Sequence, residues 1–132
     1  MSGLNQRFLK CYHPGYTFVE KLQTISTKYR QQQESGEFPA NFLRHYYDVS
    51  CLLDSEIVQR FIGTRDYYRW KETRFRTQDN QNISENEAFL FSNPETRQLY
   101  EKTYVNSGGI YYQGQTPFAT IIDNISRHID RL

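Results

Sequence analysis

Long apolar runs are missing from this sequence of 132 residues, and no stretch approaches the ~20 apolar residues that a membrane-spanning helix needs. Residues 1–7 also lack the apolar segment of a secretory signal. Only two cysteines occur, Cys11 and Cys51, and neither has a second cysteine nearby. Without a secretion signal they are expected to be reduced thiols, although a disulfide between them stays open. These features predict a cytoplasmic protein that makes no contact with a membrane.

Net charge is also small, because sixteen basic and fifteen acidic side chains leave +1. This balance excludes a general field that would attract nucleic acid or an anionic membrane, so any anion site must be local. The motifs that hold a catalytic metal are absent as well, since no two aspartates are separated by one residue and the three histidines lack ligand spacing. Glu85 and Glu87 have such a separation, but they lie in a polar segment and are expected at the solvated surface.

Aromatic side chains are abundant instead, with eleven Tyr, nine Phe and one Trp. Tyrosine is amphipathic, so these rings can build a core while many hydroxyls stay at the surface or in a polar cleft. The length fits one domain, 1–132, with a single modest core.

The spacing of apolar residues predicts a mainly α fold, a bundle of five or six helices with at most one or two short N-terminal strands. Residues 1–16 are interpreted as a strand over Arg7–Tyr12 and a turn at His13–Tyr16, and residues 17–132 as helical. A capping box from Thr17 to Glu20 is expected to begin the first helix, which ends near Gln33. The other predicted helices span 41–53, 56–62, 64–75, 94–104 and 117–131, and 78–87 is predicted to be an exposed loop.

Two of the predicted helices carry charged residues beside their apolar stripes. At about 100° per residue, Lys21 and Lys28 fall along one flank of the first helix. Lys21 can cover the core edge with its methylene stem and present its ammonium to a cleft. Arg44 and Asp48 flank the stripe of the second helix on one side. Spacing alone favours a surface ion pair and a solvated lysine, which contribute little stability.

A further segment combines cationic and aromatic side chains, a mixture that suits stacking on bases and contact with phosphates. The simpler interpretation is a helix with a buried aromatic side and a basic exposed side. The residues of this segment are Arg65, Tyr67, Tyr68, Arg69, Trp70, Lys71, Arg74, Phe75 and Arg76.

Two motifs taken together point to a family. Tyr16–Leu22 reads Tyr-Thr-Phe-Val-Glu-Lys-Leu, and Leu43–Val49 reads Leu-Arg-His-Tyr-Tyr-Asp-Val. In this order they resemble the C-terminal half of AbiEii/AbiGii-type nucleotidyltransferases, which are toxins of type IV toxin–antitoxin and phage abortive-infection systems. Trp70-Lys71 followed by Phe75, and the closing segment Tyr112–Leu132, are similar to further family segments. The resemblance covers most of the chain from about residue 7 onward.

The resemblance implies roles for four residues. Lys21 and Lys71 would bind substrate, with Lys21 contacting nucleotide phosphates. Asp48 would be the catalytic residue that orients or deprotonates an attacking hydroxyl. Arg44 would keep Asp48 ionised or would bind phosphate itself. These roles suit nucleotidyl transfer, in which positioning and charge neutralisation do most of the work. Lys21 and Asp48 are therefore predicted to face a common open cleft.

The family's metal-binding Asp-x-Asp pair and its Gly-Ser motif do not occur in this sequence, and the Asp-x-Glu spacing at Asp54 and Glu56 falls at the junction between two predicted helices and not on a strand. No metal site is therefore expected on this chain, and Mg²⁺ is expected only with a complementing N-terminal half. The chain is expected to be inactive alone, either as part of a split NTP:RNA nucleotidyltransferase or as a truncated remnant, so its status as an enzyme stays open. The expected partners are an N-terminal nucleotidyltransferase chain, an antitoxin, NTP, RNA and a second copy of the chain. The alternative is a non-catalytic helical module that binds RNA or protein.

Overall fold

The computed structural model describes residues 13–107 and 116–132. These ranges contain no strand, and the prediction of a mainly α fold is confirmed. The predicted strand Arg7–Tyr12 lies outside the described residues. The helices are α1 (Pro14–Ser35), α2 (Arg44–Leu53), α3 (Glu56–Phe61), α4 (Arg65–Arg74), α5 (Glu87–Leu90), α6 (Pro94–Asn106) and α7 (Phe118–Arg127), with 3-10 helices at Ile83–Glu85 and Ile129–Arg131.

The start of α1 differs from the prediction. Helix α1 begins at Pro14, and the His13 ring accepts a hydrogen bond from the Gly15 amide at 3.0 Å. Proline suits this first position because its φ is already helical and it has no amide proton to satisfy. The predicted turn at His13–Tyr16 and the capping box beginning at Thr17 are therefore wrong. The helix ends at Ser35, close to the predicted end near Gln33, and Gly36 follows it with a φ of 78° and an amide that donates to the carbonyl of Gln32.

Helix α1 is the element around which the others pack, and it contacts α2, α3, α4 and α5. Its apolar stripe is fully buried and consists of Phe18, Val19, Leu22 and Ile25. At its N-terminal end the backbone passes close to α3, because a Cβ on Gly15 would lie 2.4 Å from the ring of Phe61. The glycine therefore permits an approach that a larger residue would block.

The centre of the core is aromatic. Tyr46 of α2 is fully buried, and its hydroxyl donates to the carbonyl of Ala88 at 2.7 Å. Five rings surround it with centroids 5.2 to 6.4 Å away, a range typical of favourable aromatic pairs. These rings are Phe42, Phe89, Phe91, Tyr100 and Phe118.

Other buried tyrosines follow the same principle. Tyr67 donates to the carbonyl of Leu132 at 2.7 Å, and Tyr100 donates to the side-chain oxygen of Gln32 at 2.9 Å. A buried hydroxyl with a partner avoids the penalty of an unmade hydrogen bond. The abundance of tyrosine is thus explained partly by interior hydrogen bonds, in addition to the surface positions that the sequence predicted.

The segment predicted to be an exposed loop, 78–87, is partly buried. Only 2% of the Asp79 side chain is exposed, and its carboxylate accepts from Thr27 at 2.7 Å and from Arg30 at 2.8 Å. Ile83 is fully buried, and the Asn86 side chain caps α5 by accepting from the amide of residue 88. The loop prediction is therefore wrong for these residues, because long-range contacts with α1 fix a segment that is polar in sequence.

The remaining boundaries agree better with the sequence. Helices α2, α3, α4 and α6 begin and end within three residues of their predicted positions, and the predicted last helix is divided into α7 and a 3-10 helix. Cys51 is an exposed free thiol. In the described ranges, no helix combines the length and the apolar character that crossing a membrane requires.

Candidate functional site

The packing of α1 on α2 determines which charged residues meet. The apolar stripe of α1 includes Phe18 and Leu22, and that of α2 includes Tyr46 and Val49, all fully buried. Residues that flank these two stripes are consequently carried to the border between the helices. Lys21 on α1 reaches this border from one side, and α2 lines the other.

Three polar groups meet at this border. The Lys21 ammonium nitrogen lies 3.0 Å from Asp48 Oδ2 and 3.3 Å from His45 Nδ1. His45 Nδ1 is 4.0 Å from the same Asp48 oxygen. The structure thus brings together Lys21 and Asp48, the two residues that the sequence had predicted to face one site. We call this group the Lys21–His45–Asp48 site.

The site is accessible to solvent and to a ligand. Both the Lys21 and Asp48 side chains are 28% exposed. An ammonium has three N–H donors, and the described residues accept two of them, through Asp48 and His45. The remaining donor can bind a ligand oxygen without breaking either contact. As an ion pair alone, two groups this exposed would contribute at most about 1 kcal/mol to stability.

His45 reports the local electrostatic field. Burial lowers the pKa of its imidazole below the usual value, and the Lys21 charge lowers it further. Asp48 acts in the opposite direction, whereas Lys28 and Arg44 add to the lowering. Near neutral pH, His45 is therefore neutral, and its Nδ1 accepts from Lys21, which places the ring proton on Nε2.

Two further cations, Arg44 and Lys28, contribute to the electric field at the site. Arg44 is exposed on the first turn of α2, and Lys28 lies two turns after Lys21 on the same flank of α1. Both are close enough to affect the pKa of His45. The charges that act on His45 are thus those of three cations and one carboxylate, and this balance favours an anionic ligand.

Lys71 is not brought to this site by any described contact. It is buried on α4, with 4% exposed, and donates to the carbonyl of Leu132. Its ammonium also lies 5.1 Å from the ring centroid of Tyr67. Burial lowers the pKa of Lys71 to about 8. Its role in substrate binding stays a prediction from resemblance, and its observed contact is with the closing segment.

His45 is the residue that sequence reasoning missed. It belongs to the motif Leu43–Val49, from which no role for it was predicted. Its spacing of three residues from Asp48 was a usable signal, because residues three apart are neighbours on a helix surface. The contact with Lys21 could not be found in this way, since it depends on the packing of two helices.

Metal-binding side chains are not clustered in the described part of the chain. No group of three or more His, Cys, Asp or Glu side chains in ranges 13–107 and 116–132 could hold a metal ion. Glu85 and Glu87, the pair with the spacing of metal ligands, flank Asn86. Asn86 is buried, and its side chain caps the start of α5. The side chains described here therefore offer no cluster of three ligands for a catalytic Mg²⁺.

The comparison with protein families agrees with the two sequence motifs. The model of the AbiEii nucleotidyl transferase toxin of type IV toxin–antitoxin systems matches residues 3–124. The chain belongs to this AbiEii family. Membership indicates a nucleotidyltransferase-like toxin and implies an antitoxin as partner. Comparisons of the AbiEii chain with curated proteins and with solved structures give no significant match.

Proposed function

We propose that this chain supplies the phosphate-binding and hydroxyl-orienting half of an NTP:RNA nucleotidyltransferase. The observation that carries the proposal is the Lys21–His45–Asp48 site, in which an ammonium with one remaining donor lies beside a partly exposed carboxylate. Family membership supports the reaction class. A separate polypeptide with the Asp-x-Asp pair would supply the other half.

Each group has a role that its chemistry can perform. Lys21 neutralises a phosphate oxygen of the nucleotide as a point charge. The acceptor hydroxyl attacks the α-phosphorus, so that an O–P bond forms, the bond to pyrophosphate breaks, and Asp48 accepts the hydroxyl proton. Asp48 retains its second oxygen, Oδ1, for this purpose, because its described hydrogen bond and ion pairs use Oδ2. Arg44, which is exposed next to His45 in the chain, adds positive charge near the site.

The metal belongs to the complementing half in this proposal. When bound there, a divalent ion would neutralise charge on the phosphates. No step assigned to Lys21 or Asp48 passes through it. The division of labour between two chains accounts for a phosphate-facing site without a metal-binding pair.

Reconstitution of transfer tests the proposal. Purified chain is mixed with labelled NTP, RNA and Mg²⁺, with and without a polypeptide that carries the Gly-Ser and Asp-x-Asp motifs and is encoded beside this chain. We expect no transfer without the second polypeptide and transfer with it. Lys21→Ala and Asp48→Ala are expected to reduce the restored rate by about a hundredfold or more.

Matched controls separate site effects from general effects of charge removal. Lys102→Ala removes an exposed lysine of α6, and Asp123→Ala removes a carboxylate that is 68% exposed. Both are expected to leave the restored rate within about twofold of the unmodified chain. The proposal is wrong if the two site variants behave like these controls, or if the chain transfers nucleotides unaided.

A further inference from the structure

Charge is unevenly distributed along the chain. Residues 65–76 contain five cations and two carboxylates, whereas the whole chain carries only +1. The remainder of the sequence is therefore net acidic. The structure places most of this excess on α4, outside the Lys21–His45–Asp48 site.

Helix α4 has a buried side and an exposed side, each with one of its two tyrosines. Tyr67 and Lys71 are buried, whereas Arg65, Tyr68 and Arg69 are exposed. The three exposed residues occupy positions i, i+3 and i+4, which share one face of a helix. The two arginines are separated by one turn, or about 6 Å along the axis. Glu72 shares this face and Asp66 lies three residues before Arg69, but over the whole of α4 four cations outnumber these two carboxylates.

Tyr68 is an exposed ring that the core holds in place. It is 50% exposed, and its centroid lies 5.2 Å from that of the buried Tyr67 in an edge-to-face arrangement. The Lys71 ammonium is 6.0 Å from the Tyr68 centroid. Tyr67 and Lys71 are themselves fixed by hydrogen bonds to Leu132. An immobilised ring loses little conformational freedom when a planar ligand stacks on it.

A further cation comes from the closing segment. Arg131 is exposed on the last 3-10 helix, whose following residue, Leu132, accepts from Tyr67 and Lys71. Burial raises the pKa of the Tyr67 phenol, and the charge of Arg131 lowers it. The Arg131 guanidinium is therefore close enough to α4 to act on Tyr67. The described residues provide no carboxylate partner within ion-pair distance for Arg65, Arg69 or Arg131.

We propose that Arg65, Tyr68, Arg69 and Arg131 form a binding surface for single-stranded nucleic acid, with Tyr68 stacking on a base and the arginines contacting phosphates. We call it the Tyr68 surface. Arginine and an exposed aromatic ring together recognise the two constant features of a single strand, its charged backbone and its base faces. An acidic protein would need the cations alone, so the position of the ring favours nucleic acid. The surface shares no residue with the Lys21–His45–Asp48 site.

Fluorescence anisotropy with a labelled single-stranded RNA of about 12 nucleotides tests the inference on the complete chain. Arg65→Glu with Arg69→Glu is expected to weaken binding at least tenfold. The double change should also reduce the slope of log affinity against log salt by about 1.4, as expected for two lost phosphate contacts on a single strand. Tyr68→Ala is expected to weaken binding about tenfold, and Tyr68→Phe to leave it unchanged because the ring remains.

Arg60→Glu is the matched control, because Arg60 is an arginine of α3 whose side chain is 78% exposed. It should bind RNA like the unmodified chain, and circular dichroism should show that every variant is folded. The inference is overturned if the unmodified chain does not bind, if Arg65→Glu with Arg69→Glu behaves like Arg60→Glu, or if Tyr68→Ala has no effect. Equal competition by polyglutamate would instead identify an acidic protein as the ligand and would also overturn it. These outcomes do not depend on nucleotide transfer, so they remain distinct from failure of the proposed function.

Discussion

At the scale of single residues, the state of His45 decides how the Lys21 ammonium is held. A neutral imidazole accepts from Lys21, whereas a protonated one would repel it. The pKa of His45 is lowered first by burial and then by Lys21. The Lys21–His45–Asp48 site should therefore keep its geometry at neutral pH and lose it in acid, when His45 becomes charged.

The first prediction concerns this histidine. Lys21→Met preserves the buried stem but removes the charge, so the pKa of His45 should rise toward its usual value of about 6.5. An NMR titration of the His45 ring in both proteins measures the difference. Lys102→Met, which removes an exposed charge of α6, should leave the titration unchanged. An unaltered or lower His45 pKa in Lys21→Met would show that the two groups do not interact as described.

Lys71 provides a second prediction at this scale. Burial lowers its pKa from 10.5 to about 8, so the unfolded chain binds more protons than the folded chain between these values. Stability should consequently rise with pH across this window, until the tyrosines begin to ionise near pH 10. Lys71→Met should remove that rise when Tm is measured from about pH 7.5 to about pH 9.5. Parallel Tm curves for Lys71→Met and the unmodified chain would contradict the account, and Lys102→Met serves as control.

At the scale of elements, the close approach of α1 and α3 depends on one missing side chain. A Cβ at position 15 would lie 2.4 Å from the Phe61 ring. Gly15→Ala is therefore expected to destabilise the fold by about 1 to 3 kcal/mol, despite the better helix propensity of alanine. Urea unfolding measures the change, with Gln31→Ala at an exposed position of α1 as control. Increased stability of Gly15→Ala would disprove the close approach.

The attachment of residues 76–86 to α1 is the other element-scale feature that can be tested. Asp79→Ala leaves the Arg30 guanidinium without the carboxylate that lies 2.8 Å away, and should cost about 2 kcal/mol of unfolding free energy. Glu34 also approaches Arg30, at 4.0 Å, but 67% of its side chain is exposed. Glu34→Ala should therefore change stability by no more than about 0.5 kcal/mol. Equal effects of the two changes would indicate that Asp79 is not buried in solution.

The same elements show what local sequence can and cannot reveal. Stripes at helical spacing predicted the body of α1, the whole of α2 and the last helix, because burial of one helix face leaves a periodic record in the sequence. The start of α1 was missed because Pro14 and Gly15 were interpreted as part of a turn, whereas Pro14 occupies the first position of the helix and His13 caps it. The burial of Asp79 was missed because its partners lie about fifty residues earlier in the chain.

The candidate site, too, could be predicted from the sequence only in part. Spacing alone favoured a surface ion pair for Arg44 and Asp48, whereas the family resemblance brought Lys21 into consideration. The structure then placed Lys21 beside Asp48 and added His45. A contact between side chains on two helices depends on their relative rotation, which is set by the core and is not recorded in either helix alone.

At the scale of the whole molecule, two positively charged regions lie on different elements. The Lys21–His45–Asp48 site is formed by α1 and α2, and the Tyr68 surface by α4 and the closing 3-10 helix. One suits a compact anion with a nearby proton acceptor, and the other suits an extended polyanion with stacked bases. A nucleotidyl transferase needs both, since it must hold a nucleotide and an acceptor strand together.

Calorimetric titration of the chain with a nucleoside triphosphate tests the central claim most directly, since that claim is that Lys21 is a phosphate ligand. Loss of one charge-assisted hydrogen bond is worth about 1.5 to 3 kcal/mol, so Lys21→Met should weaken binding by roughly 10- to 100-fold. Lys102→Met should bind like the unmodified chain. If Lys21→Met binds the triphosphate as well as Lys102→Met does, the ammonium of Lys21 only pairs with Asp48 and the account is wrong.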